Sequence, residues 1–205
     1  MKFIEFREAL IVFPVFSHSD ILKLDSRFDR RRLVEWQQKK YIQKIRNGYY
    51  CFLTKDRGEG NMWYISNMIY KPSYVSLETA LSYYNLIPEG VYLYTGVSTR
   101  KTVLFETALG NYKYHKIKKE LFFGYKLEQI GEYKVKLAEI EKTILDLFYF
   151  RKIEDRSELE GIRINRMIAR EIINKERLYT YLSEYKSPVM ERRIKLFIEY
   201  IYAES

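Results

Sequence analysis

A single cysteine, Cys51, and two histidines, His18 and His115, are the whole supply of soft metal ligands in 205 residues. One cysteine closes no internal disulfide, and a structural zinc site needs about four such ligands, so neither staple is expected and no metal or cofactor is anticipated. No run of about 18 apolar residues exists, which excludes a membrane-spanning helix on hydropathy grounds. The opening stretch MKFIEFREALIVF carries Glu5, Arg7 and Glu8 within its apolar residues. That interrupts the h-region a signal peptide needs, so a cytoplasmic location is expected. Internal repeats and low-complexity tails are missing as well.

What is present is a large apolar fraction, 47%, with 17% aromatic residues that are mostly tyrosine. A chain of this length and composition can build one large core or two small ones. The formal net charge is +9, which suits a polyanionic partner. The excess is unevenly spread. Residues 1–57 hold 13 basic against 7 acidic residues, +6; residues 58–150 give +1 and residues 151–205 give +2. The first quarter of the chain is where a polyanionic partner such as DNA should dock.

Helical spacing of Phe3, Phe6, Ala9, Leu10 and Phe13 predicts a helix over 2–13, ended by Pro14. Ser19 is the expected N-cap of a short helix, Asp20 to Leu24, burying Ile21 and Leu24. Ser26, with Asp29 three residues on, is the expected cap of the next helix. Its apolar stripe is Phe28, Leu33 and Trp36, with Val34 as a further candidate, and it ends near Lys40. Two β-prone runs around Asn47-Gly48 then predict a hairpin with a type I′ turn, which needs positive φ at both central residues. Three helices followed by a hairpin is the order of a winged helix-turn-helix.

The charged, glycine-containing KDRGEGN at 55–61 reads as a boundary. Beyond it, a helix from Ser76 through Tyr84 stops before Pro88-Glu89-Gly90. VYLYTG, KTVLFET, LFFGYKL and YKVKLAE read as strands, and 139–150 returns to helical spacing. Two closing helices are expected, about 164–182 and from Ser187-Pro188 to about 202. The fold class is α+β: a winged-helix domain at 1–57 and a mixed α/β domain at 62–205, helical from about 139.

Nine basic residues stand between Lys23 and Arg46 against Asp25, Asp29 and Glu35. A charge run by itself is ordinarily a solvated helix face. Here Leu33 and Trp36 would seat the helix, leaving Arg30, Arg31, Gln37 and Gln38 on the side that could enter a major groove. Arginine suits guanine edges and phosphates, and glutamine suits adenine. Lys44 and Arg46 flank the hairpin turn, where a wing would meet backbone phosphates or the minor groove. Arg32, beside Leu33, is expected to stack on the protein instead.

Catalytic patterns are weak. GVSTRKT at 96–102 lacks the glycine and Lys-Ser/Thr order of a phosphate-binding loop. Glu106, Glu120, Glu139, Glu141 and Asp146 show no spacing that marks a metal site for a nuclease, and Lys142–Asp146 reads as an i,i+4 helix pair. Cys51 lies in the apolar YYCFL and is expected to be buried. His18 shows no catalytic partners. The aromatic and basic YKYHKIKKELFFGYK at 112–126 reads first as an amphipathic strand or helix edge with exposed lysines, and second as a docking surface for an acidic protein or RNA partner.

Three segments together resemble the AbiEi family of antitoxins, from type IV toxin–antitoxin and abortive-infection systems. They are PVFSHSDILKL with RRRLVEWQQKKYIQKIRNGYYCF, IYKPSYVSLETALSYYNLIPEG just after it, and AEIEKTILDLFYF. The resemblance covers roughly residues 3–150. It implies a non-enzymatic phage-defence protein whose first domain binds double-stranded operator repeats upstream of its own operon and represses transcription. The second domain would counteract a nucleotidyltransferase-type toxin encoded next door, directly or only functionally. By position the DNA-binding residues would be Arg27, Arg30, Arg31, Gln38, Lys44 and Arg46. No antitoxin residue carries over from the family's motifs; the candidate partner surface is this chain's own basic patch, Lys113, Lys116, Lys118 and Lys119. A winged-helix regulator that responds to a ligand, or a metal-dependent nuclease, are the alternatives.

Overall fold

The computed structural model describes residues 1–53, 59–88, 90 and 92–203. The N-terminal elements are α1 (Phe3–Leu10), β1 (Phe16–Ser17), α2 (His18–Leu24), α3 (Arg31–Gln38), β2 (Ile42–Arg46) and β3 (Tyr49–Phe52). The three strands form an antiparallel sheet in the order β1-β3-β2. Their core is largely aromatic. Phe6 sits at its centre, 4.5 Å from Trp36, 5.2 Å from Phe16 and 5.4 Å from Phe52 between ring centroids. Ile21, Leu33 and Ile42 complete it.

Local chemistry sets boundaries that differ from those read in the sequence. α1 ends at Leu10, and Phe13 is exposed. Ser17, not Ser19, caps α2: its Oγ accepts from Asp20 N at 3.2 Å, and Asp20 accepts from Ser17 N at 2.9 Å, a reciprocal capping box. Leu24 is exposed rather than buried. α3 begins at Arg31, whose N–H donates to Asp29 Oδ1 at 2.9 Å, and Ser26 plays no part. The helix stops because Lys40 adopts φ 56°, with Lys40 N bonded to Gln37 O and Tyr41 N to Trp36 O. That pair of bonds is a Schellman ending. At the hairpin only Gly48 has positive φ, 82°, and the register shifts between Lys44 and Arg46. The turn is therefore bulged and not type I′.

The rest of the chain carries α4 (Glu59–Ile69), β4 (Ser73–Val75), α5 (Leu77–Tyr83), β5 (Leu93–Ser98), β6 (Val103–Thr107) and β7 (Gly110–Lys116). A 3-10 turn (Lys119–Leu121), β8 (Tyr125–Ile130), β9 (Tyr133–Ala138) and α6 (Ile140–Phe150) follow. The last helices are α7 (Arg156–Ile162), α8 (Arg166–Ile172), α9 (Lys175–Ser183) and α10 (Pro188–Tyr202). A six-stranded mixed sheet has the order β6-β7-β5-β4-β9-β8, with β4–β9 and β5–β7 parallel. Alternation divides its faces. Tyr112, Tyr114, Val135 and Leu137 pack toward α4, while Tyr74, Val97, Ile117 and Ala138 pack toward the helices from α5 onward.

The expected helix over 164–182 is two helices. Asn174 accepts from Arg177 N at 3.0 Å and starts α9 afresh. α7, capped by Asp155, and strand β4 are additional to the expected elements, and β7 takes the strand alternative for the amphipathic stretch that begins at Tyr112. Ser187 with Pro188 opens α10 as expected. Most of the anticipated boundary at 55–61 lies outside the described residues, as do Glu89 and Val91; Gly60 and Asn61 already belong to α4.

The N-terminal elements and the large sheet share one apolar cluster. Val15, Ile45 and the buried Cys51 pack with Ile65, Ile69, Tyr70, Tyr112 and Tyr114. Deeper still, α6 is buried along almost its whole length, including Glu141, Lys142, Thr143 and Asp146. Lys142 and Asp146 pair through Nζ and Oδ1, both side chains at 0% exposure. Tyr74 and Ser76 donate to Asp146 Oδ2 at 3.0 and 2.8 Å, and Lys142 Nζ donates to Tyr185 at 2.9 Å. Ser76 stands at the N-cap position of α5 yet spends its hydroxyl on this carboxylate. Burial holds the Lys142 ammonium below its ordinary value, against the opposing pull of Asp146.

Candidate nucleic-acid interface

α3 is seated by Leu33 and Trp36, 3% and 4% exposed, on the aromatic core. That leaves Arg31, Val34, Glu35 and Gln38 exposed. Val34 therefore does not belong to the apolar stripe: at about 100° per residue it points away from Trp36. Between α3 and the hairpin runs a groove of about 380 Å³, lined by His18, Arg30, Leu33, Val34, Gln37, Asn47, Gly48 and Tyr50.

Arg30 is held in that groove. Its Nε donates to His18 Nε2 at 2.8 Å, which requires an unprotonated Nε2. Partial burial and the Arg30 charge both lower the His18 pKa, consistent with a neutral ring. Gln37 donates to Leu33 O at 2.8 Å, so it is partly committed to its own helix. Lys44 is exposed and pairs across the sheet with Tyr50, which lines the groove. Directly opposed residues share a face, so Lys44 flanks the groove. Arg27 is exposed in the turn before α3, its N–H donating to Asp25 Oδ1 at 3.1 Å. Arg32 donates to the Met1 carbonyl, in keeping with its expected contact with the protein.

Arg46 departs from the expected set. Its guanidinium lies 4.3 Å from the Phe105 ring centroid, between Tyr49 and Tyr70, and donates to Ile69 O. A wing residue read as a phosphate contact is thus spent on the seam with α4 and β6. Sequence position beside a turn cannot reveal a partner on a distant strand. Arg46→Ala is expected to lower stability by about 1–3 kcal/mol, from the lost cation–π and charged hydrogen bonds. It should leave the salt slope of any DNA binding unchanged; urea melts and binding titrations of one preparation check both.

The four lysines read as a partner surface do not form one face. Lys113 is half-buried on β7, an interior strand, while Lys116, Lys118 and Lys119 are exposed at its end and in the following turn. His115, next to Lys113, packs 5.0 Å from Phe150 between ring centroids. Burial first, then the Lys113 charge, depress its pKa below the ordinary 6.5. The unfolded chain then binds this proton more readily, so its stabilising contribution is full above about pH 6.5 and declines as pH falls. His115→Gln should flatten the decline between about pH 7 and pH 5, measured by urea unfolding at each pH.

The carboxylates weighed for metal chemistry are dispersed. Glu106 and Glu120 are exposed, Glu139 accepts from Tyr181, Glu141 pairs with Arg177 at 3.0 Å, and Asp146 is in the core. Among the described residues no group of three or more His, Cys, Asp or Glu is placed to hold a metal ion. Nor is any helix among them long and apolar enough to cross a membrane. No protein-family model and no curated protein matches the chain.

Proposed function

We propose that this protein is a DNA-binding transcriptional regulator whose first six elements act as a winged helix, with α3 as the recognition helix. The observation that carries the reading is the exposed face of α3 beside a hairpin groove. Arg31 and Gln38 stand on a helix seated by Leu33 and Trp36, with Arg30 at its N-cap position and Lys44 alongside. The element order α1-β1-α2-α3-β2-β3 and the sheet order β1-β3-β2 support it. Within this reading the resemblance to AbiEi antitoxins assigns the role: autorepression of a type IV toxin–antitoxin operon, without catalysis by this chain. The larger α/β region would then oppose the nucleotidyltransferase-type toxin.

The test has two arms. The full chain should bind DNA from upstream of its own gene, with affinity falling steeply as salt rises, because neutralised phosphates release counterions. Co-expression should also rescue growth from the toxin encoded beside it. Binding without rescue would leave a repressor and remove the antitoxin role; no salt-sensitive binding would remove the DNA-binding reading, and failure of both arms would remove both roles.

A second reading, a regulator that answers to a small ligand, is favoured by one observation. A cavity of about 370 Å³ between α5, β5, α6 and α7 is walled by Leu81, Ile87, Leu93, Leu147 and Ile162, with the Arg151–Glu78 ion pair among its lining residues. Apolar walls with a few polar groups are the usual make-up of a ligand site. That reading requires a cell-extract fraction that changes DNA affinity for the native chain but not for Ile87→Trp.

A further inference from the structure

Val34 is 56% exposed at the middle of α3. A single exposed apolar side chain on an ordinary surface carries no message. This one has a particular setting. At about 100° per residue it projects about 40° from Arg30 and Gln38 and about 60° from Arg31 and Gln37. Its methyl groups therefore stand at the centre of the four side chains best suited to base edges. It also shares the groove wall with Tyr50 of the hairpin. A β-branched residue is a poorer helix former than alanine or glutamine, so local propensity does not favour valine there.

We infer that Val34 is a specificity-determining residue that packs on the 5-methyl group of a thymine. The inference rests on the proposal that α3 enters the major groove. The thymine methyl is the apolar group that the major-groove edges of the bases present, and small apolar side chains read it by contact. Arg30, Arg31 and Gln38 supply phosphate and purine contacts around it, so the site should require T at the position facing the middle of the helix. Burying one methyl-sized group corresponds to about fourfold in affinity.

The experiment begins with the full chain selecting its site from a random duplex library. Each thymine of the enriched site is then replaced singly by deoxyuridine, which lacks only the 5-methyl group. Native protein should lose about fourfold in affinity at one thymine, or at its symmetry mate, and little elsewhere. Val34→Ser should bind the thymine and deoxyuridine duplexes equally, while keeping the native helical spectrum and melting temperature. If native protein tolerates deoxyuridine everywhere, or Val34→Ser retains the penalty, the assignment to Val34 is overturned while DNA binding stands. A chain that enriches no site overturns the DNA reading and this inference together.

Discussion

Asp146→Ala is expected to cost about 3–5 kcal/mol of folding stability, the usual penalty for stripping one member from a buried ion pair. Three effects converge. The Lys142 ammonium is left unpaired at 0% exposure, and the Tyr74 and Ser76 hydroxyls lose their common acceptor. Lys142→Met should be milder, because the remaining carboxylate keeps both hydroxyl donors. An unpaired buried ammonium has no such partners and sheds its proton. The Asp146→Ala protein should therefore regain stability as pH rises above neutrality, the direction set by a lysine whose folded pKa lies below its unfolded value. Urea titrations of the two variants at two pH values measure the ordering. A loss below about 1 kcal/mol for Asp146→Ala would mean that water reaches the pair.

The paired charge reversal Arg30→Glu/Arg31→Glu should weaken specific DNA binding by at least about 30-fold, taking about 1 kcal/mol as the lower value of each lost contact. The slope of log affinity against log salt should become shallower by about two, one for each phosphate no longer neutralised. Neither residue helps to hold the core: both are exposed, Arg31 at the first turn of α3 and Arg30 against His18. Melting temperature should stay within a few degrees of native. Unchanged gel shifts with a folded protein would remove α3 from the interface. Arg46→Ala serves as the contrasting variant, because its charge is engaged with Phe105 and the Ile69 carbonyl.

α3 shows how far sequence alone reaches. Leu33 and Trp36 identify the buried side because three-residue spacing survives any small error in the ends. The start was misread because Ser26 has the chemistry of a cap, whereas the free N–H of Arg31 is met by Asp29. Val34 was drawn toward the core by its type alone, although its angular distance from Trp36 already placed it elsewhere. The Lys142–Asp146 spacing was legible as an ion pair. Its complete burial was not, since that depends on Tyr74 and Tyr185 arriving from other elements. The break between α8 and α9 was hidden because Ile172 and Ile173 continue the apolar period up to the Asn174 cap. The proposed site was thus visible as a helix face and a hairpin, while the groove between them, held by His18 and Tyr50, needed the third dimension.

The aromatic seat of Arg46 has a genetic consequence. β2 carries Lys44 beside the groove and Arg46 in the seam, two residues apart on one strand. A change at Tyr70 or Phe105 would withdraw one ring from the Arg46 guanidinium, and Arg46→Ala would withdraw the guanidinium itself. Both kinds of variant should therefore fall into one class, weakened in folding alone. Second-site suppressors of either should map to the seam and not to the groove.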